Sequence, residues 1–159
     1  MPPMNLITRD TDYAVRALCY MAQRPKQVVS VTELCAELDM PRQYLRRILQ
    51  MLARHQRNDI LASYRGKGGG FQLRKDPAKI LLTDLIEVFQ GKTDFTRCAF
   101  RASVCPRQAG CSLRSKIKEI ERKAVAELRA TTIASLVAEQ RSMRSGRQGV
   151  ERTPEHRAE

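Results

Sequence analysis

The spacing of apolar residues predicts that the chain begins with helices. Within residues 11–23, small and aliphatic side chains return every three or four positions, which is the spacing of one helical face. The residues on that face are Ala14, Ala17, Leu18 and Met21. Thr11 is expected to cap the start of this helix, because its hydroxyl oxygen can accept a hydrogen bond from a free backbone N–H.

Two further helices, separated by a tight turn, are predicted within residues 30–55. Ser30 and Glu33 match the S-x-x-E capping box, in which each side chain pairs with a free N–H of the first helical turn. Pro41 is expected to begin the next helix, where its missing N–H leaves nothing unpaired. That helix would bury Leu45, Ile48, Leu49 and Leu52. Helix, tight turn and helix form a helix-turn-helix motif.

A β-hairpin is predicted after this motif. Residues 60–64 and 71–74 are β-type runs, and the glycines at 66, 68, 69 and 70 between them allow positive φ and a sharp reversal. A phosphate loop is excluded because Lys67 is followed by glycine, and a dinucleotide fingerprint fails because Phe71 stands where its third glycine should be. The hairpin is interpreted as a wing beside the helix-turn-helix.

The second half of the chain is predicted to be helical around a loop that contains cysteines. Residues 80–90 form a helix that Thr83 caps and Gly91 ends. A short helix over residues 133–140 and a disordered tail from Arg141 end the chain. Between these helices lies a long helix with one apolar stripe, made of Leu113, Ile117, Ile120, Ala124 and Leu128. Such a stripe needs a surface to pack on, either in its own domain or in a second copy of the chain.

The predicted fold class is mainly α with a small β-wing. A winged helix-turn-helix domain covers residues 4–78, the cysteine loop and the long helix fall within 79–140, and the tail covers 141–159.

Charge indicates the kind of partner. The formal net charge is +12, from 29 Lys and Arg against 17 Asp and Glu, which favours nucleic acid first and a membrane surface second. No stretch approaches the roughly 18 apolar residues of a spanning helix. The first residues lack the basic and apolar regions of a secretion signal. We therefore expect a cytoplasmic protein that binds double-stranded DNA and no membrane.

The basic residues concentrate where a helix-turn-helix contacts DNA. Nine basic residues and one acid, Asp59, lie between Arg42 and Lys75, a net charge of +8. A solvated helix face is the alternative, but such faces usually carry interleaved acids. Arg suits guanine and Gln suits adenine in the major groove, and wing residues would reach the backbone or the minor groove. The expected DNA contacts are Arg42, Gln43, Tyr44, Arg46, Arg47, Arg65 and Lys67, with the ring of Tyr44 equally suited to the core.

Three of the five cysteines fall in the segment CAFRASVCPRQAGC, residues 98–111. The odd total and the expected compartment disfavour disulfides. Cys19 and Cys35 lie among apolar neighbours and are interpreted as core residues. The segment itself has no apolar face, and its C-x6-C-x5-C spacing is wider than the knuckle of a structural zinc site. It is better suited to an iron–sulfur cluster.

Four features together carry a resemblance to a known family. They are T-D-Y-A-V-R near the start, the helix-turn-helix, S-Y-R-G-K-G-G-G-F, and three cysteines ending in C-P-R-Q-A-G-C-S-L-R. Over about residues 4–138 the chain resembles the Rrf-type winged-helix iron–sulfur transcription regulators, closest to their NsrR- and RirA-like branch. The resemblance implies a homodimer joined by crossing C-terminal helices. It also implies a cluster, held by the segment 79–140, that controls the affinity for the DNA operator.

The resemblance also implies which residues would bind the cluster. Cys98, Cys105 and Cys111 match its three cysteines. Arg114 stands where the IscR-like branch has a histidine, so that ligand is absent. Asp12 matches the aspartate that the NsrR-like branch donates from the partner subunit; the alternative is that Asp12 only stabilises a helix N-terminus. Three thiolates and a carboxylate favour [4Fe–4S] over [2Fe–2S].

The sequence therefore predicts a transcription regulator, most simply a repressor, that senses NO, iron or redox state. The stretch between the recognition helix and the wing is about three residues longer than is usual in the family. At positions 46 and 47 this chain has Arg46 and Arg47, where the IscR-like branch has Glu and Gln. Two alternatives remain, a zinc-stabilised nucleic-acid-binding protein and a cluster-free winged-helix regulator that binds a metabolite. An enzyme is disfavoured because no nucleophile–base pair appears.

Overall fold

A computed structural model of the chain describes residues 7–55, 59–91 and 110–148. Within these residues lie six α-helices, one 3-10 turn (Pro77–Lys79) and one two-stranded antiparallel sheet. The elements are α1 Arg9–Ala22, α2 Val31–Leu38, α3 Arg42–Arg54, β1 Leu61–Tyr64, β2 Gly70–Leu73, α4 Leu82–Gln90, α5 Ser112–Ala130 and α6 Ile133–Gln148. The predicted fold class, mainly α with a small β-wing, is confirmed.

Helix α1 begins earlier than the sequence predicts. Its N-cap is Thr8, and Thr11 lies inside the helix, fully buried. The Thr11 hydroxyl donates to Oε1 of Gln90 at 3.1 Å, and the backbone N–H of Thr8 donates to the same oxygen at 3.1 Å. The predicted cap at Thr11 is therefore wrong, because its hydroxyl is used to join α1 to the end of α4.

The helix-turn-helix forms as its pattern predicts. The Ser30 hydroxyl oxygen accepts from the backbone N–H of Glu33 at 3.1 Å, so Ser30 caps α2. The Glu33 carboxylate in turn accepts from the Tyr20 hydroxyl at 3.0 Å, which joins α2 to α1. Asp39 ends α2 in the left-handed conformation, with φ of 50°. Pro41 takes the N-cap position, so α3 begins one residue later than predicted.

The wing packs beside the helix-turn-helix through backbone hydrogen bonds. Strands β1 and β2 pair from Leu61–Leu73 to Tyr64–Gly70. Gly66 and Gly68, with φ of 96° and 81°, make the reversal. The N–H and C=O groups of Phe71 also pair with those of Val29, at 2.8 and 2.9 Å. The residue that precedes α2 thus forms a bridge to the wing and fixes its position.

The C-terminal helices differ from the prediction at their ends. The N-cap of α4 is Leu81, and the carboxylate of Asp84 accepts from its backbone N–H at 3.4 Å. The predicted cap Thr83 lies inside the helix, so that prediction is wrong. Gly91 ends α4 as predicted. Helix α6 continues to Gln148, past Arg141, where the sequence predicts a disordered tail; residues 149–159 lie outside the described residues.

A backbone bridge joins the starts of α4 and α6. The N–H of Leu82 donates to the C=O of Thr131, and the N–H of Ile133 donates to the C=O of Ile80, both at 3.0 Å. The chain that runs through α4 and α5 therefore returns to the point from which it left.

One aliphatic core connects the helix-turn-helix, the wing and the C-terminal helices. All four predicted residues of α3 are fully buried, and so are Ala14, Ala17 and Leu18 of α1. Ile133 and Val137 bring α6 into the same cluster, where it packs on α1. Burial of apolar surface, which contributes about 25 cal/mol per Å², is the main force that holds α3 in place.

Helix α5 is different, because none of its residues is buried. Its predicted stripe exposes Leu113, Ile117 and Ile120, with exposed fractions of 55, 42 and 56%. The helix packs against α4, and Leu128 contacts the edge of the core. None of the helices within the described ranges is both long and apolar enough to cross a membrane.

Replacing Gly70 with Ala should destabilise the fold. A Cβ at this position would overlap the backbone oxygen of Val29 and lie 2.8 Å from its carbonyl carbon, so the bridge between Val29 and Phe71 would have to open. We expect a loss of about 1–3 kcal/mol in the free energy of unfolding, measured by urea denaturation.

Gly110 provides the control for this prediction. A Cβ there would have no neighbour within 4 Å, so Gly110→Ala should leave the urea midpoint nearly unchanged. Equal midpoints for Gly70→Ala and the native protein would contradict the assigned close approach.

Candidate nucleic-acid interface

A groove of about 780 Å³ runs between α3, the start of α2 and the wing. Three elements form its walls. Because one face of α3 is buried, the polar face of this helix points outward. The capped start of α2 lies beside that polar face, and the bridge from Val29 holds the wing opposite. The lining residues that carry its chemistry are Ser30, Thr32, Arg42, Arg46, Gln50, Arg54, Ser63, Tyr64 and Arg65. The groove is therefore both polar and basic.

The arginines of the groove are not neutralised within the part of the chain that the structure describes. Arg42, Arg46, Arg54 and Arg65 form no ion pair with any described acid. Four like charges facing one groove raise its positive potential, because each adds to the field of the others. An anionic polymer is the partner that such a groove favours.

Other basic residues of the same region are paired. Arg74 contacts Asp59 at 3.0 Å, and Lys75 contacts Asp84 at 3.3 Å. Among the described basic residues of this region, Arg74 and Lys75 are thus paired outside the groove, whereas the four arginines that line it are not. This division could not be derived from composition alone.

The predicted DNA contacts separate into three groups. Arg42, Arg46 and Arg65 line the groove. Gln43 and Lys67 are exposed beside it, Gln43 on the first turn of α3 and Lys67 at the tip of the wing. Tyr44 and Arg47 contact Asp10 of α1 and are not part of the groove lining.

An aspartate of α1 holds Tyr44 and Arg47. The Tyr44 hydroxyl donates to Oδ1 of Asp10, and Nη2 of Arg47 lies 3.2 Å from Oδ2. The Tyr44 ring meets Tyr13 edge to face at 5.3 Å and lies 5.0 Å below the guanidinium of Arg47. The hydrogen bond to Asp10 and partial burial raise the pKa of the Tyr44 hydroxyl, so it remains a donor. The hydroxyl of Tyr44, one of the expected DNA contacts, is thus hydrogen-bonded within the protein.

Sequence reasoning did not identify several residues of the site. Thr32, Gln50 and Ser63 line the groove although none is charged, and Arg54 was counted only as part of the basic run. The capping box at Ser30 could have indicated the start of α2 as part of the surface, since free helical N–H groups favour anions. Asp10 had no sequence signal, because its partners are 34 and 37 residues away.

The candidate cluster ligands are described only in part. Cys98 and Cys105 lie outside the described residues. Cys111 is a free, half-buried thiol at the N-cap of α5. Asp12 is in the first turn of α1 and is 44% exposed, and Oδ2 is 3.0 Å from Nε of Arg16. Within residues 7–55, 59–91 and 110–148, no three metal-binding side chains come together.

The other two cysteines have core environments. Cys19 is buried, and burial raises the pKa of its thiol to about 11, so the thiol is neutral near pH 7. Cys35 is half-buried and packs against the core. Both therefore suit the predicted role as small apolar residues, rather than that of thiolate ligands.

Taken together, the helix-turn-helix, the bridged wing and the basic groove between them define a winged-helix DNA-binding protein. Residues 7–139 match the model of the Rrf2 family, described as iron-dependent transcriptional regulators. The chain belongs to the Rrf2 family and is a transcriptional regulator rather than an enzyme.

Relatives and solved structures agree with this assignment. A protein of Aquifex aeolicus that carries the name of an HTH-type transcriptional regulator is 29% identical over 127 residues, 79% of this chain and 86% of its own. T. potens IscR matches in structure with a TM-score of 0.62 and 22% identity, covering 86% of this chain and 89% of its own. CymR, the global cysteine regulator of B. subtilis, matches at 0.60 and 21%, covering 86% and 98%.

Arg65→Gln should weaken binding to DNA and reduce its dependence on salt. Arg65 lines the groove without a described acidic partner and is expected to reach the DNA backbone, so each phosphate contact it makes adds about 0.9 to the slope of log K against log salt. We expect the slope to fall by about that amount per protomer, measured by fluorescence anisotropy with a labelled duplex at 50–200 mM salt.

Arg74→Gln is the matched control, because Arg74 is already paired with Asp59. It removes the same charge and should change the slope much less. Equal losses in the two variants would show that net charge, and not the groove, sets DNA affinity.

Proposed function

We propose that this regulator is a cytoplasmic homodimer, in the NsrR- and RirA-like branch, whose affinity for a DNA operator is controlled by an iron–sulfur cluster. The observation that carries this proposal is the C-x6-C-x5-C segment, whose third cysteine is a free thiol at the start of α5. A repressor that senses NO, iron or redox state is the form that we favour.

Two observations support a cluster, one from the described residues and one from the sequence. Cys111 sits at a helix N-terminus, where the free N–H groups of the first turn stabilise negative charge, and a cluster with three thiolates is anionic. The segment has no apolar face that would otherwise explain three cysteines. Cys98, Cys105 and Cys111 would hold the group, and it would supply iron that NO or O₂ can attack.

Asp12 is the proposed fourth ligand, contributed by the partner subunit. Its side chain is 44% exposed and its described contact is with Arg16 on its own helix, so a second chain could reach it. A carboxylate oxygen is a harder donor than a thiolate and is exchanged more easily. Loss of this ligand would detach the cysteine segment from α1. We favour [4Fe–4S] for this set of ligands.

Helix α5 supports the proposal of a homodimer. Its stripe of Leu113, Ile117 and Ile120 is exposed, and a helix with no buried residue needs a partner to bury its apolar face. The same stripe from a second copy is apolar and has the same spacing, so the two can pack around a two-fold axis. A dimer is also what the proposal for Asp12 requires, because that ligand is contributed by the partner subunit.

The DNA surface that we propose consists of the groove arginines with Gln43, Lys67 and the start of α2. Arg42 and Arg46 would contact the major groove, and Arg65 would contact the backbone or the minor groove. The supporting observation is their unpaired charge across one groove.

Anaerobic purification should give a brown protein that contains iron and sulfide. Replacing any of Cys98, Cys105 and Cys111 by Ala should remove the visible absorption, because three thiolates are too few to spare one. Cys35→Ala is the matched control and should keep the colour, since Cys35 packs against the core. The measurements are the visible spectrum and the iron and sulfide content per chain.

Two other results would contradict the cluster. One zinc per chain without iron would indicate a zinc-stabilised protein, and three dispensable cysteines would indicate a cluster-free regulator. In the same assay, Asp12→Ala should give a folded dimer with a cluster that air destroys faster. An unchanged lifetime of the cluster in air would indicate that Asp12 only stabilises the N-terminus of α1.

A lysine on the stripe of α5 should separate the dimer. Ile120→Lys places a charge where the two copies would bury apolar surface, so we expect a monomer at micromolar concentration in sedimentation experiments. Ser115→Lys adds the same charge to an exposed position off the stripe and should remain a dimer. A dimer that tolerates Ile120→Lys would rule out the stripe as the interface.

A further inference from the structure

The Asp10 carboxylate is the only described acid that contacts a basic residue of α3. Its Oδ2 lies 3.2 Å from the guanidinium of Arg47, and its Oδ1 accepts from the Tyr44 hydroxyl. Asp10 belongs to α1, and α1 packs on α3 in the core. One side chain outside the helix-turn-helix therefore holds two residues of the recognition helix.

We infer that Asp10 is a positioning residue that withholds Arg47 from DNA and so determines which arginines of α3 contact phosphate. This inference rests on the DNA surface proposed above. Arg42, Arg46 and Arg54 face the groove without a described partner, whereas Arg47 lies on the side of α1 with its charge compensated.

The geometry makes Asp10 an effective competitor for Arg47. An exposed ion pair is usually weak, because both side chains must be ordered to form it. Here the Asp10 carboxylate is 27% exposed and is already oriented by the Tyr44 hydroxyl. The Tyr44 ring, 5.0 Å from the guanidinium, also attracts the cation. A DNA phosphate that recruits Arg47 would have to compete with the Asp10 carboxylate and the Tyr44 ring for the guanidinium, whose side chain is 58% exposed.

The test uses the full-length protein and a labelled random-sequence 30-base-pair duplex, with iron content measured so that variants are compared at equal content. Asp10→Asn keeps an oxygen that can accept from Tyr44 but loses the charge that holds Arg47. We expect tighter binding and a steeper salt dependence, with a change of about 0.9 in the slope of log K against log salt for each Arg47 that reaches a phosphate.

Arg47 variants separate release of the arginine from simple loss of an acid. Arg47→Gln alone should leave the slope unchanged, because that charge is compensated in the native protein. In the Asp10→Asn background, the same substitution should return the slope to the native value. Glu119→Gln on α5 removes one acid outside the helix-turn-helix and is the charge control; we expect it to leave the slope unchanged.

Four results would overturn the inference while the native protein still binds with a steep salt dependence. The first is DNA affinity of Asp10→Asn that is unchanged or weaker, and the second is an equal gain in affinity from Glu119→Gln. The third is a lower salt slope for Arg47→Gln alone. The fourth is a double variant that keeps the salt slope of Asp10→Asn. A native protein with a flat salt response would instead refute the DNA surface itself. The single variant Arg47→Gln keeps the test decisive if Asp10→Asn folds poorly.

Discussion

The burial of one face of α3 is the constraint on which the rest of the structure depends. Leu45, Ile48, Leu49 and Leu52 are fully buried, so the helix cannot rotate about its axis without exposing aliphatic surface. With that rotation fixed, Arg42 and Arg46 face the groove and Arg47 faces α1. The bridge between Val29 and Phe71 then sets the distance to the wing. A hydrophobic interaction without direction of its own therefore determines where each charge lies.

Helix α1 has a second role beyond its place in the core. Its first turns carry Asp10, which contacts α3, and Asp12, the proposed ligand, only two residues later. Gln90 joins the start of the same helix to the end of α4, one residue before Gly91 and the chain that leads to the cysteines. Helix α1 thus contacts the recognition helix α3 and also carries the residue proposed to bind the cluster. A small shift of α1 would reach both of them.

The sequence was a good guide wherever a periodic pattern was involved. The face of α3, the cap at Ser30, the glycine reversal and the stripe of α5 all follow from local spacing. The cap at Thr11 was wrong because its hydroxyl donates to Gln90 on another helix. The cap at Thr83 was wrong because α4 begins earlier, with Leu81 as its N-cap. Helix α6 passes Arg141 because Arg, Met and Gln are good helix formers although they show no apolar period.

The contact of Asp10 with α3 joins residues far apart in sequence, so no local rule could predict it. Cys98 and Cys105 lie outside the described residues and stay predictions.

The bridge between Leu81 and Thr132 has a consequence for modularity. Two backbone hydrogen bonds join the chain near Ile80 to the chain near Ile133. Between these points α4 is held in the core by Leu82, Leu85 and Ile86, and its end is bonded to α1 through Gln90. The cysteine segment and α5 therefore form an insertion between fixed ends. Because the entropy of closing a loop grows only slowly with its length, by about 0.6 kcal/mol for each doubling, such an insertion can change in length with little effect on the fold. The length of the cysteine segment could thus change while the helix-turn-helix and the wing keep their positions.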